Sequence, residues 1–295
     1  MRGLGQSGGL CSQLQTYASL LAVARANNKK IVFTESDITG KLTTYHTGEK
    51  YQTKVRVFEL LDIDYEVVPD SFLSNFRDKH INFHTTIYDE TLFSLDENIN
   101  YNLVGRFDLY TYWYNDVGQE VANWKYKPAL QQQAEERMSE IKKKFGNENP
   151  TVSIHVRRGD YLLPNHHFAI LDNGYYEPAI LQNFWHPSEY NFVVFSNDVE
   201  YIKEMFTPDD NIWFVDPQGS DKVCSDSEKE DLALMSLCDH HIIANSSYSW
   251  WGAFLCKNPN KKIICPTNWL RSYHQSSWIN GRYFPPTWVN IDNAA

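Results

Sequence analysis

The sequence predicts an α/β protein whose C-terminal half is a doubly wound parallel sheet, and three observations carry that expectation. Beyond residue 150, short apolar runs alternate with helical stretches: strands at residues 152–156, 192–195, 212–215, 241–244 and 262–265, and helices near 176–185, 199–206, 229–238 and 248–256. Strand and helix in succession at this spacing build a parallel sheet whose ligand crevice lies at the strands' carboxyl ends. Within the first of these strands Val152, Ile154 and Val156 alternate with Ser153, His155 and Arg157, so the polar residues share one face until the turn-forming Gly159-Asp160. Finally, residues 127–145 form a charged amphipathic helix that Gly146 and Pro150 stop, which places a domain boundary between residues 1–147 and 148–295.

Length and charge narrow the classes. A chain of 295 residues holds one large domain or two ordinary ones, with a sizeable core. The formal net charge of -10 argues against nucleic acid or an anionic membrane surface as the main partner. Five cysteines, Cys11, Cys224, Cys238, Cys256 and Cys265, are odd in number and scattered without a C-x-x-C pair, so neither a zinc site nor a disulfide framework is indicated and a reducing compartment fits. No segment approaches the roughly 18 apolar residues of a membrane span, and the amino terminus lacks a signal-peptide pattern. The expected location is cytoplasmic, with peripheral attachment to a membrane as the alternative.

Taken in order, residues 1–10 are glycine-rich and lead into a helix over 10–26, where Leu10, Leu14, Tyr17, Leu20, Leu21 and Ala24 recur at three and four. A glycine-rich turn ahead of a helix lets backbone approach a ligand closely, although glycines at chain ends are more often simply flexible. Residues 30–34 read as a strand, 35–56 as a long polar loop, 57–61 as a short helix and 65–68 as a strand closed by Pro69. Asp62-Ile63-Asp64 has the spacing of a metal-binding D-x-D pattern but sits at a helix-to-strand turn, where aspartate is a good turn former, and is discounted as a metal site. Residues 81–126 are rich in rings, with Tyr110-Thr111-Tyr112-Trp113-Tyr114 the densest run, which suits either an aromatic core or a surface that stacks on sugars.

The chemistry concentrates at the end of the strand over 152–156. His155 and Arg157 point the same way near its carboxyl end, Arg158 follows at the bend, and Asp160 is placed to hold one of the arginines. Guanidinium groups keep their charge when partly buried and match phosphate geometry, so an anionic group is expected there. The competing reading is an Arg–Asp pair bridging surface loops. A second cluster follows the strand over 241–244, where Asn245, Ser246, Ser247 and Ser249 lead into a helix. Free amides, hydroxyls and the helix dipole then make a phosphate cradle, unless Ser246 or Ser247 merely caps the helix. His240 and His241 read as structural, and Ser196-Asn197-Asp198 ends another strand toward the same crevice. Phosphate sites at two neighbouring strand ends suggest a diphosphate nucleotide.

His155-Val156-Arg157-Arg158-Gly159-Asp160, Asp231-Leu232-Ala233-Leu234-Met235-Ser236 and Ile243-Ala244-Asn245-Ser246-Ser247-Tyr248-Ser249-Trp250-Trp251-Gly252-Ala253 together closely resemble the alpha-1,2-fucosyltransferases of glycosyltransferase family 11. Gly8-Gly9-Leu10-Cys11-Ser12-Gln13-Leu14-Gln15-Thr16-Tyr17-Ala18 is similar to that family's amino-terminal motif, and the match runs in family order from about residue 8 to residue 269. The resemblance implies a GT-B type fold: two Rossmann-like domains facing a central cleft, an N-terminal acceptor-side domain and a C-terminal GDP-fucose-binding one, the latter the more regular sheet. It further implies GDP-beta-L-fucose as donor, a galactose-terminated glycan as acceptor, inversion to an alpha-1,2 linkage, and no metal or other cofactor. By the same resemblance Arg157, Arg158 and Asp160 form the catalytic set, in which the arginines neutralise the diphosphate leaving group. His155 and Asp231 read the guanosine, and Asn245, Ser246, Ser247 and Ser249 bind phosphate at the helix start. Two departures stand out: Cys11-Ser12 replaces the family's Gly-Asn, and residues 1–7 do not supply the strand that precedes the glycine motif. Glu35, Asp37 and Asp160 are all possible general bases by residue type, and a fucosyltransferase of other linkage (alpha-1,6 or O-fucosyl) or a non-catalytic GDP-sugar- or carbohydrate-binding protein remain the alternatives.

Overall fold

The computed structural model describes residues 9–39, 42–46, 49–53, 55–80, 88–104, 107, 109–164, 166–215, 226–271 and 283–293. The chain divides into two compact units, Met1–Lys127 and Pro128–Ala295.

In the first unit, helix α1 (Leu10–Ala26) buries Leu10, Leu14, Tyr17, Leu20 and Ala24 of the expected stripe and leaves Leu21 half-buried, but Gln13, Gln15, Thr16 and Ser19 are buried too, so the helix is enclosed on nearly all sides rather than along one stripe. There follow β1 (Val32–Thr34), α2 (Glu35–Thr39), β2 (Leu42–His46), β3 (Glu49–Thr53), α3 (Val57–Leu60), β4 (Glu66–Val68), β5 (Phe76–His80), β6 (Asn100–Val104) and α4 (Tyr114–Ala122). β1 pairs with β4 and β5 with β6 in parallel, while β2 and β3 form an antiparallel hairpin. The segment expected to be a long loop thus carries α2 and the hairpin. Asp37 folds back to accept hydrogen bonds from the Thr34 amide and hydroxyl, both at 3.0 Å, and the hairpin's Thr43, Thr44 and Tyr45 are strand-prone despite their polarity. The dense aromatic run resolves as core. Tyr110, Tyr112 and Trp113 are buried, and Tyr112 meets Phe107 edge-on at 5.1 Å, so these rings offer no face to a sugar.

The second unit begins with α5 (Pro128–Phe145), which the sequence assigned to the other side of the boundary. It belongs here because Leu130, Ala134, Met138 and Ile141 are buried along one face and Arg137 makes an ion pair with Asp231 on the helix α8 (Asp226–Ser236). The remaining elements are β7 (Thr151–Val156), α6 (Asn173–Asn183), β8 (Asn191–Ser196), α7 (Val199–Met205), β9 (Ile212–Phe214), β10 (His240–Ile242), α9 (Ser247–Leu255), β11 (Ile263–Pro266) and β12 (Val289–Ile291). They form a six-stranded sheet in the order β12-β11-β10-β7-β8-β9, with every pairing parallel. β12, unforeseen because three residues with two exposed give no period, closes the edge beside β11.

β7 lies at the centre and is buried on both faces. Val152, Ile154 and Val156 pack with Tyr175, Tyr176 and Ala179 of α6; each such aliphatic side chain contributes about 1.5–3 kcal/mol by leaving water. The opposite face, expected to present polar side chains to a ligand, is roofed. Ser153 shares a 2.7 Å hydrogen bond with Nδ1 of His241, which is wholly buried, so Ser153 finds its partner in the core while the histidine's Nε2 has none among the described residues. Helices α8 and α9 meet closely where Gly252 faces Met235; a Cβ at Gly252 would lie 2.5 Å from the Met235 sulfur. Among the described residues no helix is long and apolar enough to cross a membrane.

Candidate functional site

The chain steps outward from β7 to β8 and β9 on one side, then crosses back to place β10 on the other. The strand order therefore reverses between β7 and β10, the position at which open α/β sheets part their loops and bind ligands. The turn after β7 and the loop into α9 occupy the two sides of this point.

The turn after β7 is held by its neighbour strand. Gly159 has φ +60, and a Cβ there would fall 2.5 Å from Nδ2 of Asn197, so only glycine fits. The Arg158 amide donates to Oδ1 of that same Asn197 at 2.8 Å. From the next residue but one, the Tyr161 hydroxyl donates to the Asn245 carbonyl at 3.0 Å and bonds the Ser246 side chain, which joins the two halves of the site. Arg271 closes the far side, donating from Nη2 to the Tyr161 carbonyl at 2.9 Å.

The two arginines are employed differently. Arg157 donates from Nη2 to Asp160 Oδ1 at 2.6 Å, and His166 Nε2 stands 3.5 Å from the other carboxylate oxygen. Arg158 has no carboxylate partner among the described residues. Its guanidinium instead lies over the Tyr201 ring, 3.8 Å from the centroid, and its Nε is shut off from solvent without an acceptor. One guanidinium is therefore neutralised and the other keeps its charge.

Beneath them His155 is buried and shares a 2.9 Å hydrogen bond with Ser249 through Nδ1. Burial first, and the Arg157 charge second, push its pKa down to about 3, so the imidazole is neutral under ordinary conditions. Ser249 itself is wholly buried; its hydroxyl is occupied in holding His155 rather than turned to an incoming phosphate. Asn245 is likewise committed, its Nδ2 donating to the carbonyls of Ala169 at 2.9 Å and Trp269 at 2.8 Å. Ser246 caps α9, accepting from the Tyr248 amide at 3.3 Å. That leaves half-buried Ser247, the first residue of α9, at the mouth of the helix.

Asp231 lies on α8, where Arg137 Nη1 approaches its Oδ1 to 2.6 Å. Burial raises its carboxyl pKa and the arginine opposes that rise. The structure thus brings Arg157, Arg158, Asp160, Ser246 and Ser247 to one edge with His155 and Ser249 beneath, while Asp231 is engaged with α5. Of the candidate bases, Asp37 is buried against Thr34 in the first unit, Glu35 is exposed there, and Asp160 is paired with Arg157. Sequence reasoning missed Tyr201, Tyr161, Arg137 and Arg271. Asp198, whose carboxylate accepts from the Tyr201 amide at 3.1 Å, signals the start of α7, but nothing local tells which way the ring of Tyr201 faces.

A family model described as Glycosyl transferase family 11 matches residues 10–292. Among curated proteins, the O-antigen biosynthesis glycosyltransferase WbnK of Escherichia coli is 38% identical over 138 residues, 44% of this chain and 44% of that protein. An alpha-1,2-colitosyltransferase of Escherichia coli is 35% identical over 152 residues, 48% of each. The match spans about half the length of these relatives. Among solved structures, a mutant of Arabidopsis thaliana FUT1 in complex with GDP is similar with a TM-score of 0.52 at 9% identity, covering 87% of this chain and 68% of that one. This last likeness concerns the fold, which is of the GT-B type.

Proposed function

Since the chain belongs to glycosyl transferase family 11, we propose that it moves L-fucose from GDP-beta-L-fucose to the 2-hydroxyl of a beta-galactoside, with inversion and without a metal. The observation that carries this reading is the pair of guanidinium groups at the sheet's carboxyl edge beside the α9 amino terminus, one of them, Arg158, without a neutralising carboxylate among the described residues.

The chemistry asks for such a site. As the glycosyl–phosphate bond breaks, negative charge builds on the departing diphosphate, so fixed donors there stabilise the transition state more than the bound donor. Arg158 supplies an uncompensated charge, Arg157 supplies directed N–H donors held in place by Asp160, and the α9 amino terminus adds its dipole and the Ser247 hydroxyl. His155, neutral and buried beneath the arginines, adds no competing charge to the site and braces its floor through Ser249. In an inverting displacement the acceptor oxygen bonds to the anomeric carbon from the face opposite the diphosphate, the glycosyl–phosphate bond breaks with its electron pair leaving on GDP, and the acceptor's proton passes to water.

The test is GDP release from GDP-fucose with lactose or N-acetyllactosamine in EDTA, wild type against Arg158→Ala. Release that survives EDTA and drops by about two to three orders of magnitude in the variant supports the proposal; GDP-fucose bound without release in any galactoside contradicts it. A second donor is favoured by one relative, whose name gives alpha-1,2 transfer of colitose. Comparing GDP-fucose with GDP-colitose in the same assay decides between the two sugars.

A further inference from the structure

We infer that Tyr201 is the positioning residue for Arg158: an aromatic face, rather than a carboxylate, holds the guanidinium in place and so leaves its whole charge for the diphosphate.

The geometry of the two arginines is the ground for this. Arg157 is fixed by Asp160, which also cancels its charge at close range. Arg158 is fixed from two directions without any cancellation. Its backbone is pinned by the 2.8 Å bond from its amide to Asn197, and the turn cannot slide because Gly159 is packed onto the same side chain. Its guanidinium is pinned by the Tyr201 ring at 3.8 Å. A ring attracts a cation through its quadrupole but carries no net charge, so it restrains position and leaves the field intact.

The buried Nε supports the same reading. Placing a guanidinium donor out of water with no acceptor is unfavourable. That donor is left free while the guanidinium carbon sits 3.8 Å over the ring, so the ring contact, not a hydrogen bond within the described residues, sets where the head group lies. Both anchors also come from the same strand end. Asn197 follows β8 directly, and Tyr201 sits on the first turn of α7, which Asp198 caps. One β8–α7 junction therefore sets both the backbone and the head group of Arg158.

This inference rests on the donor-site reading above, and calorimetric binding of GDP and of GMP separates the two. Wild type is expected to bind GDP. Tyr201→Leu should weaken GDP by about three- to thirtyfold, the span of a cation–π contact, while GMP, which lacks the second phosphate, changes by less than twofold. Tyr201→Phe keeps the face and should stay within twofold of wild type for both ligands. Tyr201→Glu, bringing a carboxylate to the guanidinium, should weaken GDP more than Tyr201→Leu does.

In the Arg158→Ala background Tyr201→Leu should cost GDP binding nothing further. Equal losses of GDP and GMP, or a Tyr201→Leu loss that persists in Arg158→Ala, would mean that the ring merely supports the fold, and would overturn the positioning role alone. No GDP binding by folded wild type would remove the donor site, and this inference with it.

Discussion

Ser249 Oγ lies 2.9 Å from Nδ1 of His155, a residue 94 positions earlier, and both groups are sealed from water. This bond, with the Tyr248 ring 5.5 Å away, fixes the plane of the imidazole below the arginines. Ser249→Ala leaves a buried ring nitrogen unsatisfied and should lower unfolding free energy by about 1–3 kcal/mol. Urea denaturation at pH 7 measures it; a change under 0.5 kcal/mol would show that the bond does not hold His155.

The same histidine sets a pH dependence. Its folded pKa of about 3 lies below the unfolded value near 6.5. Between those two pH values the unfolded chain binds a proton that the folded one refuses, so stability falls as pH drops from about 6.5 toward 3 and is untouched above that window. Wild type should lose about 1–2 kcal/mol more than His155→Gln on going from pH 7 to pH 5, read from the difference between their urea midpoints and slopes. Parallel curves for the two proteins would count against a buried neutral ring.

Asp231 behaves in the opposite sense. Burial raises its carboxyl and Arg137 restrains the rise. Removing the arginine in Arg137→Met lifts the folded pKa further, so the penalty appears as pH climbs through that value and shrinks in acid. A loss of about 1–3 kcal/mol at pH 7.5, smaller at pH 4.5, is expected from chemical denaturation, below the figure for a fully buried pair because both side chains keep some contact with solvent.

Gly159→Ala should disturb the site more than the fold. The new methyl group drives Asn197 off the Arg158 amide and strains a left-handed backbone, worth about 1–3 kcal/mol. GDP affinity should fall at least tenfold, and removing the obstruction in Asn197→Ala, Gly159→Ala should not restore it, since the amide's partner is then gone. Full recovery in that double variant would point to steric exclusion alone.

Gly252→Ala tests the packing of α8 on α9. Its methyl group meets the buried Met235 side chain at 2.5 Å and is expected to cost about 1–3 kcal/mol. Met235→Val in the same protein should recover part of the loss in thermal unfolding, because it removes the sulfur that clashes.

The regular parts of the second unit were legible because each carries a strong local pattern: the β7 alternation, the Asp198 and Ser246 caps, the Gly159 turn. What the pattern concealed was the destination of the polar face. His155 read as ligand-facing because a half-exposed strand alternates, whereas β7 is covered on both sides, and Ser153 and His155 find their partners in His241 and Ser249 from the roof. Asn245 and Ser249 were singled out for chemistry that the structure commits to internal ties. In the first unit the short strands β2 and β3 escaped notice because their residues are polar, and the boundary moved to residue 127 because the buried stripe of α5 finds its partner across sequence, not beside it.

The placement of β7 also governs the order in which the molecule can assemble. Ser153 reaches His241 across 88 residues and His155 reaches Ser249 across 94, so the floor of this site closes through distant contacts even though Arg157 and Asp160 pair locally above it. Bringing such distant segments together pays loop-closure entropy before any contact repays it, which slows folding relative to helical bundles. If the site takes the proposed donor, nucleotide capture in a refolding experiment is expected to be a late event, lagging the appearance of helix in circular dichroism and timing the completion of the β10–β7 seam.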